Sequence, residues 1–294
     1  MKKRFLALIS LLCLCSCSEE FVYNPQPLDP SVHYDNVYVI MGQSNATGIS
    51  QASFLATKSP EVYEKYSLGN PNVLIAADVD GRVYENFQPV RFGFGADEGY
   101  FGPEIGISDI LSEANETSYV IKATWSGSCL QADYMDKKGN TYRLYDRYVP
   151  FIKNQIKKLK DNGKNPRIKG LFWMQGESDS LDGLCKTYGK AFNHFMNGLK
   201  QEFIDYIYSY FNFVDAYIST RSPHWPNPNI INSQKQIYSE SNEHSYCIKT
   251  NGEDESALNL ILKSETEDEG DDKAHYCALS MLDLGREAAK YLVK

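Results

Sequence analysis

Apolar and polar positions alternate along this chain in two rhythms. Short runs rich in Val, Ile, Tyr and Phe, at 36–41, 118–124, 168–174, 213–218 and 245–248, predict strands. Between them, the stretches 103–113, 143–161, 184–206, 229–240 and 277–293 place apolar residues three and four apart, which predicts amphipathic helices. Gly102-Pro103-Glu104 makes a good helix start: Pro is preorganised for the first helical position, and Glu meets the positive end of the dipole. Strands alternating with helices predict an α/β fold on a mainly parallel sheet of about five strands. Asp80-Gly81 predicts a tight hairpin between 73–75 and 82–84, a purely structural turn on this reading. No internal repeat and no second domain boundary interrupts the pattern.

The first residues break that rhythm. Met1-Lys2-Lys3-Arg4 and an apolar run from Phe5 to Leu14 form a basic start and a hydrophobic stretch too short to cross a bilayer, for which about 20 residues are needed. This is the form of an export signal. Leu14-Cys15-Ser16-Cys17 resembles the bacterial lipobox, which implies cleavage after residue 16 and a lipid on Cys17. Residues 17–33, with Pro25, Pro27 and Pro30, suit an extended tether, leaving 34–294 as one folded domain. The resulting expectation is a bacterial outer-membrane lipoprotein facing the periplasm or the cell surface, touching membrane only through its lipid. Cys129, Cys185, Cys247 and Cys277 remain for the folded part; they show no metal-binding spacing, and sequence cannot choose among their pairings.

Of the 294 residues, 42% are apolar and 13% aromatic, enough to bury a large core. The net charge of −8, with no long basic cluster, argues against nucleic acid as a partner. Trp125, Tyr134 and Trp225 are candidate platforms for sugar rings, core packing being the plainer reading of each.

Three stretches carry chemistry. Gly42-Gln43-Ser44-Asn45 directly follows the first predicted strand, which puts a Ser hydroxyl at the carboxyl edge of a parallel sheet, where α/β folds bind ligands. Asp272-Lys273-Ala274-His275 precedes the last helix, and its spacing lets a carboxylate hold an imidazole whose other nitrogen faces a nucleophile; Asp271 is the alternative carboxylate. Trp173-Met174-Gln175-Gly176-Glu177-Ser178-Asp179 ends another buried strand, and the Gln175 amide suits an oxyanion hole.

Together, G-Q-S-N, W-x-Q-G-E-x-D and D-x-x-H in this order resemble the SGNH-hydrolase superfamily, in the branch of sialate O-acetylesterases and carbohydrate esterase family 6 acetylxylan esterases. The resemblance spans Gly42 to His275. It implies a three-layer, flavodoxin-like α/β/α sandwich and a serine esterase removing acetyl groups from carbohydrate, with no metal or organic cofactor. Ser44 resembles the family's nucleophile, His275 its base and Asp272 the residue orienting that base. Ser44, Gly127 and Gln175 take the oxyanion-hole positions, with Gln43, Asn45, Gly102 and Glu177 in support. The segment Trp125-Ser126-Gly127-Ser128 is similar to a family stretch reading roughly W-G-G-T-S, from which it departs at Ser126; Gly102 is the alternative backbone donor. Two other activities fit the same pattern: a glycan-binding lipoprotein without catalysis, and an SGNH lipase or thioesterase that prefers longer acyl chains.

Overall fold

The computed structural model describes residues 23–114, 116–181 and 183–294; the export signal and Cys17 lie outside them. In chain order the elements are β1 (Asp35–Gly42), α1 (Ser44–Thr47), β2 (Ser50–Gln51), α2 (Leu55–Lys58), α3 (Pro60–Leu68), β3 (Asn70–Val79), β4 (Arg82–Val90), β5 (Tyr100–Phe101) and α4 (Pro103–Leu111). There follow β6 (Ser118–Thr124), α5 (Arg143–Asp161), β7 (Pro166–Met174), α6 (Tyr188–Glu202), β8 (Asn212–Ala216), α7 (Pro228–Ser241), β9 (Ser245–Ile248) and α8 (Ala278–Leu292).

Seven strands form one sheet in the order β4-β3-β6-β1-β7-β8-β9, parallel except for the edge strand β4. Sequence predicts about five strands because the 73–75 and 82–84 runs read as a separate hairpin. Instead, β3 pairs along its length with β6, from Val73↔Ser118 to Val79↔Thr124, and extends the sheet by two strands. The Asp80-Gly81 turn sits where predicted, at φ +50° and +84°. The short elements α1 to α3 carry too little periodicity to be seen in sequence, whereas α5 has the limits predicted for it.

Alternation along β1 sorts the core into two layers. Tyr38 and Ile40 pack with α3, α4 and α8, while Val37, Val39 and Met41 pack with α5, α6 and α7. The result is a three-layer α/β/α sandwich whose central strands are covered on both faces, as parallel sheets require. An extra residue in β7, between Ile168 and Gly170, sets the register that follows. From there Gly42 lies level with Thr124 on one side and Met174 on the other, so β1, β6 and β7 end in line. The chain leaves β1 with neighbours on both sides, the crevice where such sheets bind ligands.

Candidate active site

Gly42 is obligatory at this edge. Its φ is +143°, and a Cβ would stand 2.0 Å from the Met174 carbonyl oxygen, so only glycine lets β1 turn this close to β7. The next residue, Gln43, is buried, and its Oε1 accepts from Gln175 Nε2 (3.2 Å), Gly176 N (3.4 Å) and Ser178 N (3.2 Å). It thereby stitches the G-Q-S-N turn to the turn after β7. Ser44 opens α1 and is 8% exposed. Among the described residues neither its Oγ nor its N–H has a hydrogen-bond partner.

Asn45 joins this turn to the distant D-x-x-H segment. Its Nδ2 donates to Glu177 Oε1 (2.8 Å), and its Oδ1 accepts the backbone N–H of Tyr276 at 3.4 Å. Ser50 Oγ donates to the Tyr276 carbonyl at 3.0 Å, so the residue after His275 is gripped on both sides of its backbone. His275 Nδ1 lies 2.8 Å from Asp272 Oδ2, which leaves Nε2 without a partner among the described residues. Asp272 Oδ1 also accepts from Ala274 N (2.9 Å) and His275 N (3.2 Å), and Lys263 Nζ stands 3.5 Å from Oδ2. Burial works to raise the Asp272 pKa, but the Ala274 N–H, His275 and Lys263 outweigh it and hold the carboxyl below its ordinary value. Asp271 pairs with Lys273 at the surface instead, at 3.5 Å.

Two of the expected oxyanion donors have other work. Gln175 is fully buried, and its Nε2 donates to Asp179 Oδ2 (2.7 Å), Gln43 Oε1 and Ser128 O (3.2 Å each). An amide already facing three acceptors is not left over for a substrate. The Gly102 N–H donates to Glu104 Oε1 at 2.8 Å and is likewise committed. Gly127 N–H has no acceptor among the described residues, and its φ of +69° suits glycine.

Sequence gave no role to two charged residues beneath the site. Asp179, buried in the last position of W-x-Q-G-E-x-D, accepts from Leu130 N (2.6 Å), Gln131 N (3.3 Å), Gln131 Nε2 (3.1 Å) and Gln175 Nε2. It ties the turn after β7 to the turn after β6. Its position four residues beyond Gln175 was the available signal. Lys122, in the middle of β6, is fully buried and donates to Glu104 Oε2 (2.6 Å), Thr47 O (2.8 Å) and Phe94 O (2.8 Å). A cation at the last carbonyls of α1 meets the negative end of that helix, and Glu104 turns out to serve this ion pair as well as its own helix start.

Tyr134 is no sugar platform: it is fully buried, with its hydroxyl on Gly42 O at 3.2 Å. Trp125 carries the Arg143 and Arg147 guanidinium groups over its ring, at 4.8 and 5.8 Å from the centroid, and Trp225 packs edge-on with His224. The thiols of Cys129, Cys185, Cys247 and Cys277 are all free. Burial and the nearby Asp179 carboxylate push the Cys129 thiol up to about 12, away from the reactive thiolate form.

Comparison with known proteins bears on the family and the fold. A family described as "Carbohydrate esterase, sialic acid-specific acetylesterase" matches residues 34–294. No curated protein matches the chain. The fold is similar to that of a protein from Arabidopsis thaliana at a TM-score of 0.61 and 15% identity, covering 89% of this chain and 98% of the other. It is similar to NanS at a TM-score of 0.60 and 13% identity, covering 92% and 98%. A carbohydrate acetylesterase from Xanthomonas citri gives 0.53 and 14%, covering 87% of this chain and 55% of the other. With the family match running from just before β1 to the end of α8, this chain belongs to the carbohydrate esterase family of sialic acid-specific acetylesterases.

Proposed function

We propose that the protein hydrolyses O-acetyl esters on sugar hydroxyls through an acyl-Ser44 intermediate. Ser44 Oγ attacks the acetyl carbonyl carbon while its proton passes to His275 Nε2. The carbon–oxygen bond to the sugar then breaks, and the departing oxygen takes that proton. Water, deprotonated by the same imidazole, attacks the acyl carbon; the bond to Ser44 Oγ breaks, Oγ takes the proton back from the imidazolium, and acetate leaves. Asp272 fixes the imidazole through Nδ1 and stabilises its charged form. The negative charge on the carbonyl oxygen is met by the Ser44 and Gly127 N–H groups. Gln175 contributes by holding the Ser128 and Asp179 turn in place.

One observation carries this reading: the residue after Ser44 accepts the backbone N–H of the residue after His275, while His275 itself rests on Asp272. A direct Ser44–His275 bond is not required of a resting enzyme, since such bonds tighten when substrate binds. The test is acetate release from acetylated glycans and from p-nitrophenyl acetate by wild type and Ser44→Ala. Loss of turnover with an unchanged melting temperature is the expected result; wild-type rates in the variant would end the proposal. A series of longer p-nitrophenyl esters separates an acetylesterase from a lipase or thioesterase. In the cell, we propose export and attachment to the outer membrane by a lipid on Cys17, which metabolic labelling of wild type against Cys17→Ala tests.

A further inference from the structure

The β3–β4 hairpin turn explains its own glycine but not the acid beside it. Two-residue turns with both residues at positive φ accept Asn as readily as Asp at the first position. Yet both oxygens of Asp80 point at one residue of another strand's exit. Oδ1 accepts the Ser126 N–H at 2.6 Å, and Oδ2 accepts the Ser126 hydroxyl at 2.9 Å. The Asp80 N–H in turn donates to Thr124 O at 3.0 Å. Because Val79 and Thr124 are in register, this clamp closes at the same sheet edge from which Ser44 emerges.

What the clamp controls is visible in the amides that follow. Trp125 N donates to Gly42 O, Ser126 N to Asp80, Ser128 N to Trp125 O, Cys129 N to Asp133, and Leu130 N and Gln131 N to Asp179. Gly127 N–H alone in this run has no acceptor among the described residues, and a Cβ built there meets nothing within 4 Å. Trp125 and Ser126 are half-buried and Ser128 to Gln131 buried, while Gly127 between them is exposed; a loop anchored through its other amides holds this one N–H at an open bend, where a ligand can reach it. The direction of this N–H depends on the peptide between residues 126 and 127. Glycine permits that peptide to rotate; Asp80 on one side and Ser178 Oγ on the Gly127 carbonyl (3.2 Å) on the other restrain it.

We propose that Asp80 is a positioning residue of the esterase: through Ser126 it aims the Gly127 N–H at the oxyanion. This rests on the reading of Gly127 as an oxyanion donor. Ser126, where the resembling family stretch has Gly, supplies the hydroxyl that makes the clamp two-pronged.

The experiment compares Asp80→Gly, Asp80→Asn and Ser126→Ala on p-nitrophenyl acetate, with Ser44→Ala as control. Gly accepts φ +50°, so Asp80→Gly keeps the turn while deleting both acceptors. Loss of one oxyanion donor costs about 100- to 1,000-fold in kcat, so misaiming it should cost roughly 10- to 100-fold, with KM changed less than about threefold. Asn retains an acceptor for the N–H and offers a donor to the hydroxyl, so Asp80→Asn should recover to within about fivefold of wild type. Ser126→Ala keeps the backbone prong and the turn, and should lose about two- to tenfold. An Asp80→Gly enzyme with wild-type kcat overturns the inference, as does a loss confined to KM. If Asp80→Gly proves unstable, wild-type kcat in Ser126→Ala overturns it. An inactive Ser44→Ala beside a fully active Asp80→Gly would sink the clamp and spare the esterase; an active Ser44→Ala would sink the esterase itself.

Discussion

Replacing Lys122 by Met tests how α1, the helix that carries Ser44, is supported. The two side chains are similar in length, so the change removes charge and donors with little loss of volume. Glu104 Oε2 would lose its partner in a place with no solvent access, and the carbonyls of Thr47 and Phe94 would each lose a donor. Breaking a buried ion pair by removing one member costs about 3–5 kcal/mol, against a total stability of about 5–15 kcal/mol for a typical domain. For a protein of this size, with about 2–4 °C per kcal/mol, the melting temperature should fall by roughly 6–20 °C. Removing both charges should cost less than removing one, because the penalty is mainly the stranded carboxylate. Urea unfolding of Lys122→Met, Glu104→Met and the double variant completes the cycle, and the double should be more stable than the Lys122→Met single by at least about 1 kcal/mol. A single variant within about 1 kcal/mol of wild type would refute the reasoning, as would strictly additive losses.

Asp272→Asn should lower kcat by about 1,000- to 10,000-fold in steady-state assays, because an amide favours the wrong imidazole tautomer; His275→Ala should match Ser44→Ala. The Asp272 carboxyl is held below its ordinary value in the folded protein, so its contribution to stability is present above the unfolded carboxylate's pKa of about 3.9 and lost as pH falls through the lower folded value. Melting curves between pH 6 and 2.5 should show a larger acid-side loss in wild type than in Asp272→Asn, in which Asp109, Asp136 and the other depressed carboxyls still titrate. Gln175→Met should lower stability by about 1–3 kcal/mol in urea titrations by taking a buried donor from Asp179, Gln43 and the Ser128 carbonyl; unchanged stability with a lower kcat would place Gln175 in the oxyanion hole. Gly42→Ala should cost at least about 3 kcal/mol, or fail to give soluble protein, from overlap with the Met174 carbonyl and strain at φ +143°.

The sequence made the layered fold legible because hydrophobic period survives without coordinates: α5 was readable to its ends, and all five predicted strands, those for β1 and β6 to β9, lie within two residues of their observed limits at each end. It made the meeting of Asp272 with His275 legible because three residues suffice to close that contact. The β3–β6 pairing was hidden, since a parallel pair is joined by a long crossover and leaves no local mark. The acceptors that engage Gln175 Nε2 and the Gly102 N–H were not legible for one reason: residue type says what a group can donate, not which acceptor the fold turns toward it. Asp179 and Glu104, four and two residues on, are those acceptors, and Gln43 and Ser128 face the same Gln175 amide from 132 and 47 residues away. Lys122 was invisible because a lysine within a strand ordinarily reads as an exposed position.

The aligned ends of β1, β6 and β7 divide this surface into parts that tolerate change differently. Groups rooted in strand termini cannot be relocated without unpicking the central ladder, so they stand or fall together as one block. The 217–229 segment leaves β8, near the sheet's far edge, and meets that block through the bond from Asn227 to the Ser180 carbonyl. Exchanging such a segment therefore reshapes the rim of this edge while leaving β1, β6 and β7 and the groups they carry in place.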